Sequence, residues 1–180
     1  MEFINKNPKI FIISGKARSG KDLVADIICN FYNDKKCKKL SYAYYLKNYV
    51  KDITGWDGNE DSKPRDFLQT FGIDFIKNKI NNNLLVKRMC EDIQIYSYFY
   101  DVIIITDARL VDEIETIKNI YNNSLSIRII NTKDNNLTAE QRMHITETNL
   151  DNYNKFDYTI ENNGIYDKLV SDVENIISEV

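Results

Sequence analysis

The sequence predicts an α/β protein with three layers: one parallel β-sheet with helices on both faces. Three observations predict it. Short apolar runs alternate with longer runs of helical apolar spacing along the chain. The first apolar run, Ile10-Phe11-Ile12-Ile13, is continuous rather than alternating, as in a strand buried on both faces. It leads straight into a glycine-bearing turn and then a helical pattern, the order of a βα unit.

The elements follow in order. A strand is predicted over 9–14 and a helix over 21–32, where Leu23, Val24, Ile27 and Ile28 recur at helical spacing. A strand over 37–42 follows the lysine run Lys35, Lys36, Lys38 and Lys39, which reads as the solvated edge of a sheet. Helices are predicted over 45–53, 64–78 and 83–98, with Pro64 at a helix start and a turn-rich break over 55–61. The β-branched run Val102-Ile103-Ile104-Ile105 predicts a buried strand over 102–106. A helix over 111–121, strands over 126–131 and 158–161, and a helix over 165–179 complete the pattern. Residues 132–150 are polar and follow a strand, and with the break over 55–61 they read as candidate lids over the site.

Composition narrows the partners. The chain has 180 residues, most simply one domain, with 24 basic and 27 acidic side chains and a net charge of −3. That is not the footprint of a nucleic-acid binder. Three cysteines without metal spacing, and no recognisable leader, point to a reducing cytoplasm. No apolar run approaches the length of a membrane span. Composition leaves a small molecule as the expected partner, with the chain a monomer or homodimer.

Gly15-Lys16-Ala17-Arg18-Ser19-Gly20-Lys21-Asp22 reads G-x-x-x-x-G-K, a phosphate-cradling P-loop, and it sits between strand and helix as that motif requires. The glycines admit close backbone approach, successive amides face one concavity at a helix N-terminus, and Lys21 supplies a point charge. Asp22 stands where Ser or Thr is usual. It binds Mg²⁺ through water or simply favours the helix N-terminus, and the sequence leaves both open. A second constellation, Asp107-Ala108-Arg109, closes the strand over 102–106. Asp107 is a candidate for Mg²⁺, and Arg109 for a bidentate hold on phosphate. Arg18, Arg128 and Arg142 are candidates to neutralise charge on a transferring phosphoryl group. The lone histidine, His144, precedes Thr146 and Glu147, which read as capping or bracing residues of the lid.

Stretches 11–25, 67–76, 102–115, 144–150 and 157–169 together resemble the phage-type deoxynucleoside monophosphate kinases. The same stretches, with Leu150-Asp151-Asn152 and Ile160-Glu161-Asn162-Asn163-Gly164, are similar to the animal-type phosphomevalonate kinases. Both families share the Gly-Lys-Asp ending of the P-loop. His144-Ile145-Thr146-Glu147, and Leu68-Gln69-Thr70-Phe71-Gly72-Ile73-Asp74 after Arg65, favour the nucleotide branch. Where both families carry Gly-Pro ahead of a lysine, this chain has Tyr44-Tyr45-Leu46-Lys47.

The resemblance implies a nucleoside monophosphate kinase-like P-loop fold that uses Mg²⁺ and ATP on an acceptor already bearing phosphate. It implies that Lys47, Arg65 and Arg109 hold the acceptor phosphate, that Gln69 meets the acceptor base, and that Asn162 and Asn163 lie at the ATP base. Lys21, Asp107, Arg109 and Arg142 are then the catalytic candidates. A nucleotide-binding regulator without phosphotransfer is the rival of another class. Asn131-Thr132-Lys133-Asp134 approximates the guanine-reading Asn-Lys-x-Asp but misplaces the lysine by one position.

Overall fold

The computed structural model describes residues 2–59, 65–131 and 138–180, without the side chains of Arg65, Ala139 and Gln141. Pro64, the arginine side chain beside it and most of the Asn131–Asp134 segment therefore lie outside the described residues. Five strands, β1 (Lys9–Gly15), β2 (Cys37–Leu40), β3 (Val102–Ala108), β4 (Ser124–Asn131) and β5 (Tyr158–Asn162), form one sheet in the order β2-β3-β1-β4-β5. Every neighbouring pair is parallel. All the carboxyl ends therefore face one way, and the first strand lies at the centre.

The continuous apolar runs are explained by burial on both faces. Side chains alternate across a strand. Phe11, Ile13, Ile104 and Ile127 pack with α1 (Lys21–Phe31) and α8 (Tyr166–Ser178). Ile10, Ile12, Ile103 and Ile105 pack on the opposite face with Met89 and Ile93 of α4 (Leu84–Tyr96) and with Ile114 and Ile117 of α5 (Val111–Ile120). β2 is an edge strand, and its lysines stay at the rim: Lys39 pairs with Asp26, and Lys38 lies over the Tyr96 ring.

Two expectations are corrected. The strand expected over 37–42 stops at Leu40, and Tyr42 opens α2 (Tyr42–Thr54). The cause is capping: Ser41 Oγ accepts from the Tyr44 amide at 3.2 Å, and Asp107 accepts from the Tyr42 and Ala43 amides. The helix expected over 64–78 is α-helical only in α3 (Arg65–Thr70) and continues in wider π-type turns over Phe71–Ile80. Gly72 lets this segment approach α2, since a Cβ there would lie 3.0 Å from Leu46 Cδ1. The polar segment after β4 carries two short helices, α6 (Ala139–Met143) and α7 (Ile145–Thr148). The second of them packs inward, with Glu147 and Leu150 buried.

Among the described residues, no helix is long and apolar enough to cross a membrane. Ile104 is fully buried in the central sheet. Ile104→Ala should therefore cost about 2–5 kcal/mol of folding stability, as a drop in urea midpoint at unchanged slope.

Candidate active site

The parallel sheet delivers the ends of β1, β3, β4 and β5 to one rim, where ligands bind in open α/β sheets. At its centre β1 runs into the Gly15–Lys21 loop, and α1 starts at Lys21. The loop has two residues in the left-handed region, Arg18 at φ 61° and Gly20 at φ 95°. Its outer carbonyls are tethered by asparagines from the two flanking strand ends. Asn131 Nδ2 donates to Arg18 O, and Asn162 Nδ2 donates to Ser19 O, each at 3.0 Å. Both glycines are required by close approach. A Cβ on Gly15 would lie 2.7 Å from Ile129 O, and one on Gly20 would strike the Asn162 amide. Ser19 Oγ is buried in the loop with no hydrogen-bond partner among the described residues.

Lys21 is folded back onto this loop and is only 9% exposed. Its ammonium donates to Gly15 O at 2.9 Å and to Lys16 O at 2.7 Å. Burial lowers its pKa to about 8, and the nearby Arg109 charge adds to that. Glu147, Asp107 and Asp22 act in the opposite direction. Asp22 is exposed in the first turn of α1, where the helix dipole favours a carboxylate.

The end of β3 supplies the second half of the site. Both oxygens of Asp107 are engaged at the start of α2, accepting from Tyr42 N at 2.8 Å and Ala43 N at 2.9 Å. Burial raises the Asp107 pKa; these two amides, Arg109 and Lys21 oppose the rise. Glu113 does the same for α5. Its Oε2 accepts from Arg109 N at 2.7 Å and Leu110 N at 3.0 Å, which fixes the direction in which Arg109 leaves the strand. Burial pushes the Glu113 carboxyl up to about 7, and the Asp107 charge adds to the effect. The Arg109 side chain pairs with Glu147, and its Nη1 also donates to Thr146 O at 3.4 Å. Glu147 reaches the P-loop as well, accepting from Ala17 N at 2.9 Å.

Between these groups lies a cavity of about 220 Å³. It touches the P-loop at Ala17 and the β3 exit at Asp107 and Arg109. Lys47 and Gln69, predicted to meet the acceptor, also line it. The π-type turns present Gly72, Ile73, Ile76 and Lys77 to the same space. The wall mixes aliphatic side chains, Leu46, Leu68, Ile73 and Val86 among them, with charged and polar ones.

Other predicted residues lie elsewhere. Arg142 is exposed on α6 and does not line the cavity. Arg128 sits beside the loop, donating to Ser14 Oγ at 3.0 Å and lying 3.6 Å from Asp151. Lys16 pairs with Asp151 at 2.9 Å. Asn162 Oδ1 and Asn163 Oδ1 accept from Gly164 N and Ile165 N, each at 3.0 Å, in the turn that leads to α8. His144 caps α7, its Nδ1 accepting from Thr146 N at 3.3 Å.

The sequence marks Glu147 only as a capping or bracing residue of the lid and gives no role to Glu113 or Asp151. A glutamate at the third position of a helix is a capping signal that marks Glu113. Nothing local marks the pairing of Glu147 with Arg109, which are 38 residues apart.

Among the described residues no group of three or more His, Cys, Asp or Glu side chains is arranged to hold a metal ion. That suits an ion carried largely by phosphate oxygens and water, the usual habit of Mg²⁺ at nucleotide sites. Asp22 at the loop is a carboxylate that fits such an ion; Asp107 already has both oxygens hydrogen-bonded.

A parallel sheet with a P-loop at its central strand is the architecture of P-loop nucleotide-binding proteins. Similar solved structures share the architecture. Dephospho-CoA kinase from Campylobacter jejuni matches with a TM-score of 0.56 at 15% identity, over 96% of this chain and 96% of that one. Shikimate kinase from Aquifex aeolicus matches at 0.53 and 15%, over 94% and 96%. The Mycobacterium tuberculosis APS kinase in complex with AMPPNP and APS matches at 0.52 and 10%, over 95% and 98%. At these identities the likeness is one of fold. The family model for deoxynucleotide monophosphate kinase matches residues 31–173, and the chain belongs to that family. The match begins after the P-loop, so motif and family are separate observations.

The state of Lys21 gives a pH prediction. Below about pH 8 the ammonium is charged and available to phosphate; above it the charged fraction falls, to about a tenth at pH 9. ATP affinity of the free protein should fall by about tenfold between pH 7 and 9. Calorimetry at several pH values checks this, and Lys21→Arg should flatten the dependence because a guanidinium does not titrate there.

Proposed function

We propose that this protein is an Mg²⁺- and ATP-dependent kinase that phosphorylates a (deoxy)nucleoside monophosphate to the diphosphate. The observation that carries the reading is a cavity that touches the P-loop at Ala17 and is also lined by Arg109 and Lys47. A donor phosphate on the loop and an acceptor phosphate on those cations would share one space. The aliphatic wall of Leu46, Leu68, Ile73 and Val86 suits the face of a base, and the Gln69 amide suits its edge. A phosphomevalonate-like acceptor would need a further cation for its carboxylate. Lys77, which also lines the cavity and pairs with the half-buried Asp112 at 3.2 Å, is the cation such an acceptor would use.

The chemistry asked of the chain is positioning and electrostatics, because the acceptor phosphate is already an ionised nucleophile. Loop amides and Lys21 hold the donor tail. Arg109 and Lys47, with Arg65, hold the acceptor phosphate in line with it. Arg18, Arg128 and Arg142 are the remaining cations proposed to offset charge on the group in transfer. Asn162 and Asn163 lie on the side proposed for the ATP base. Asp22 is the carboxylate proposed to hold the water shell of Mg²⁺, and Asp107 acts through the position of α2. Bound Mg²⁺ would supply charge neutralisation on the donor phosphates. The helices α6 and α7 exclude water, which would otherwise compete for the phosphoryl group. The absence of paired cysteines, with Cys29, Cys37 and Cys90 all free, fits a cytoplasmic setting.

The test is an acceptor panel with ATP, Mg²⁺ present or omitted, read as ADP formation. Nucleoside monophosphates should support saturable turnover only with Mg²⁺. Turnover with phosphomevalonate alone would replace the nucleotide acceptor, and ATP binding without any acceptor-stimulated turnover would replace the enzyme with a regulator. Lys21→Ala and Arg109→Ala should each lower turnover by about 10³-fold in folded protein, and near-normal rates in either would remove that residue from the scheme.

A further inference from the structure

Glu147 touches both halves of the cleft, yet phosphotransfer as outlined above gives it no part. Its side chain is 5% exposed. One oxygen accepts from the Ala17 amide of the P-loop at 2.9 Å, and the other pairs with Arg109. Its backbone is independently anchored. Glu147 N donates to His144 O at 2.8 Å, and His144 caps the same short helix. Asn149 Oδ1 accepts from Val111 N at 2.8 Å, which clamps α7 onto the start of α5. Leu150 is buried in the core on that side of the sheet. The carboxylate is therefore a fixed strut between the donor loop and the guanidinium, not a surface group that happens to lie near them.

The geometry has a directional consequence. Among the described residues, both contacts of the Arg109 guanidinium with protein oxygens use Nη1. Its Nη2 and Nε donors are left for the cavity that Arg109 lines. A guanidinium held at one corner presents its planar fork in one orientation, whereas an unpinned one samples many. In-line transfer is sensitive to such orientation, and a misplacement of about 1 Å can cost about 10²-fold in rate.

We propose that Glu147 is the positioning residue that couples donor and acceptor sites: it holds Arg109 in a set relation to the P-loop, so that an acceptor phosphate on Arg109 faces the donor's terminal phosphate. This rests on the reading of the cavity as the acceptor site. A carboxylate present only for fold stability would sustain the same contacts and predict a different pattern of kinetic loss.

Glu147→Gln keeps the size of the side chain and an acceptor for the Ala17 amide, but removes the charge that pins Arg109. With Mg²⁺, ATP and a nucleoside monophosphate, kcat should fall by about 10²-fold, while the acceptor KM stays level or drops, because Arg109 remains charged and is no longer shared. Glu147→Asp keeps the charge but is one methylene too short to span both partners, so its kcat should be intermediate. Wild-type kcat in Glu147→Gln overturns the proposal. So does a loss that comes with raised KM for both substrates and a lowered melting temperature, the signature of a structural role. A second arm needs no acceptor. On addition of a non-hydrolysable ATP analogue with Mg²⁺, NMR signals of the Ala17 amide and the Arg109 guanidinium should shift together in the wild type. In Glu147→Gln the Ala17 signal should still shift and the Arg109 signal should not; equal Arg109 responses in both proteins overturn the coupling. A wild type that phosphorylates no nucleoside monophosphate removes the functional reading, and the NMR arm still decides this one.

Discussion

The site depends on charge balance in a poorly hydrated cleft. Lys21, Arg109 and Arg128 are cations gathered at the carboxyl ends of the strands, and each is at least partly buried. Burying charge is costly unless it is paired and hydrogen-bonded. The carboxylates are placed accordingly: Glu147 on Arg109, Asp151 between Lys16 and Arg128, and Asp107 close enough to oppose the fall in the Lys21 pKa. The Lys16–Asp151 pair is open to solvent and contributes little to stability by itself, whereas the Glu147 carboxylate on Arg109 is buried. The cations of the cleft are thus offset by carboxylates of the same chain.

Two of the buried carboxylates also decide where helices begin. Asp107 accepts the first amides of α2, and Glu113 accepts the amides that lead into α5. Both helices therefore start at the cavity, with the positive ends of their dipoles near the place where phosphate is proposed to sit. The carboxylate at the end of β3 thus serves the fold directly. Its contribution to metal binding would have to come from lone pairs that the two amides do not use.

The loop is shaped from behind by side chains that lie far away in sequence. Asn131 and Asn162 draw the Arg18 and Ser19 carbonyls to the rim of the sheet, and Lys21 takes the Gly15 and Lys16 carbonyls. With those carbonyls occupied, the positive φ angles at Arg18 and Gly20 are held in place, and the loop's anion-binding character is preorganised. The wide turns over Phe71–Ile80 play a similar part across the cavity. They bring Gly72 against Leu46 and turn Ile73, Ile76 and Lys77 toward the ligand space, while Phe67, Phe71 and Phe75 stack along the helix with centroids 5.8 and 5.3 Å apart.

Periodicity and local chemistry were enough for the sequence to determine the parallel α/β class, the buried β1 and β3, the P-loop and the exit residues Asp107 and Arg109. Each is written in consecutive residues: a double-faced strand must be apolar throughout, and a phosphate loop needs its glycines and lysine at set intervals. The end of β2 at Leu40 was not legible, because the carboxylate that starts α2 comes from residue 107. The π-type turns were not legible either, since Phe71–Ile80 has ordinary helical spacing. The grouping of Lys47, Gln69 and Arg109 was an expectation from the family resemblance, whereas only the tertiary structure decided that Glu147 spans Arg109 and Ala17. Such partners are chosen by which strand ends lie side by side, and strand order is a property of the folded sheet rather than of any local stretch of chain.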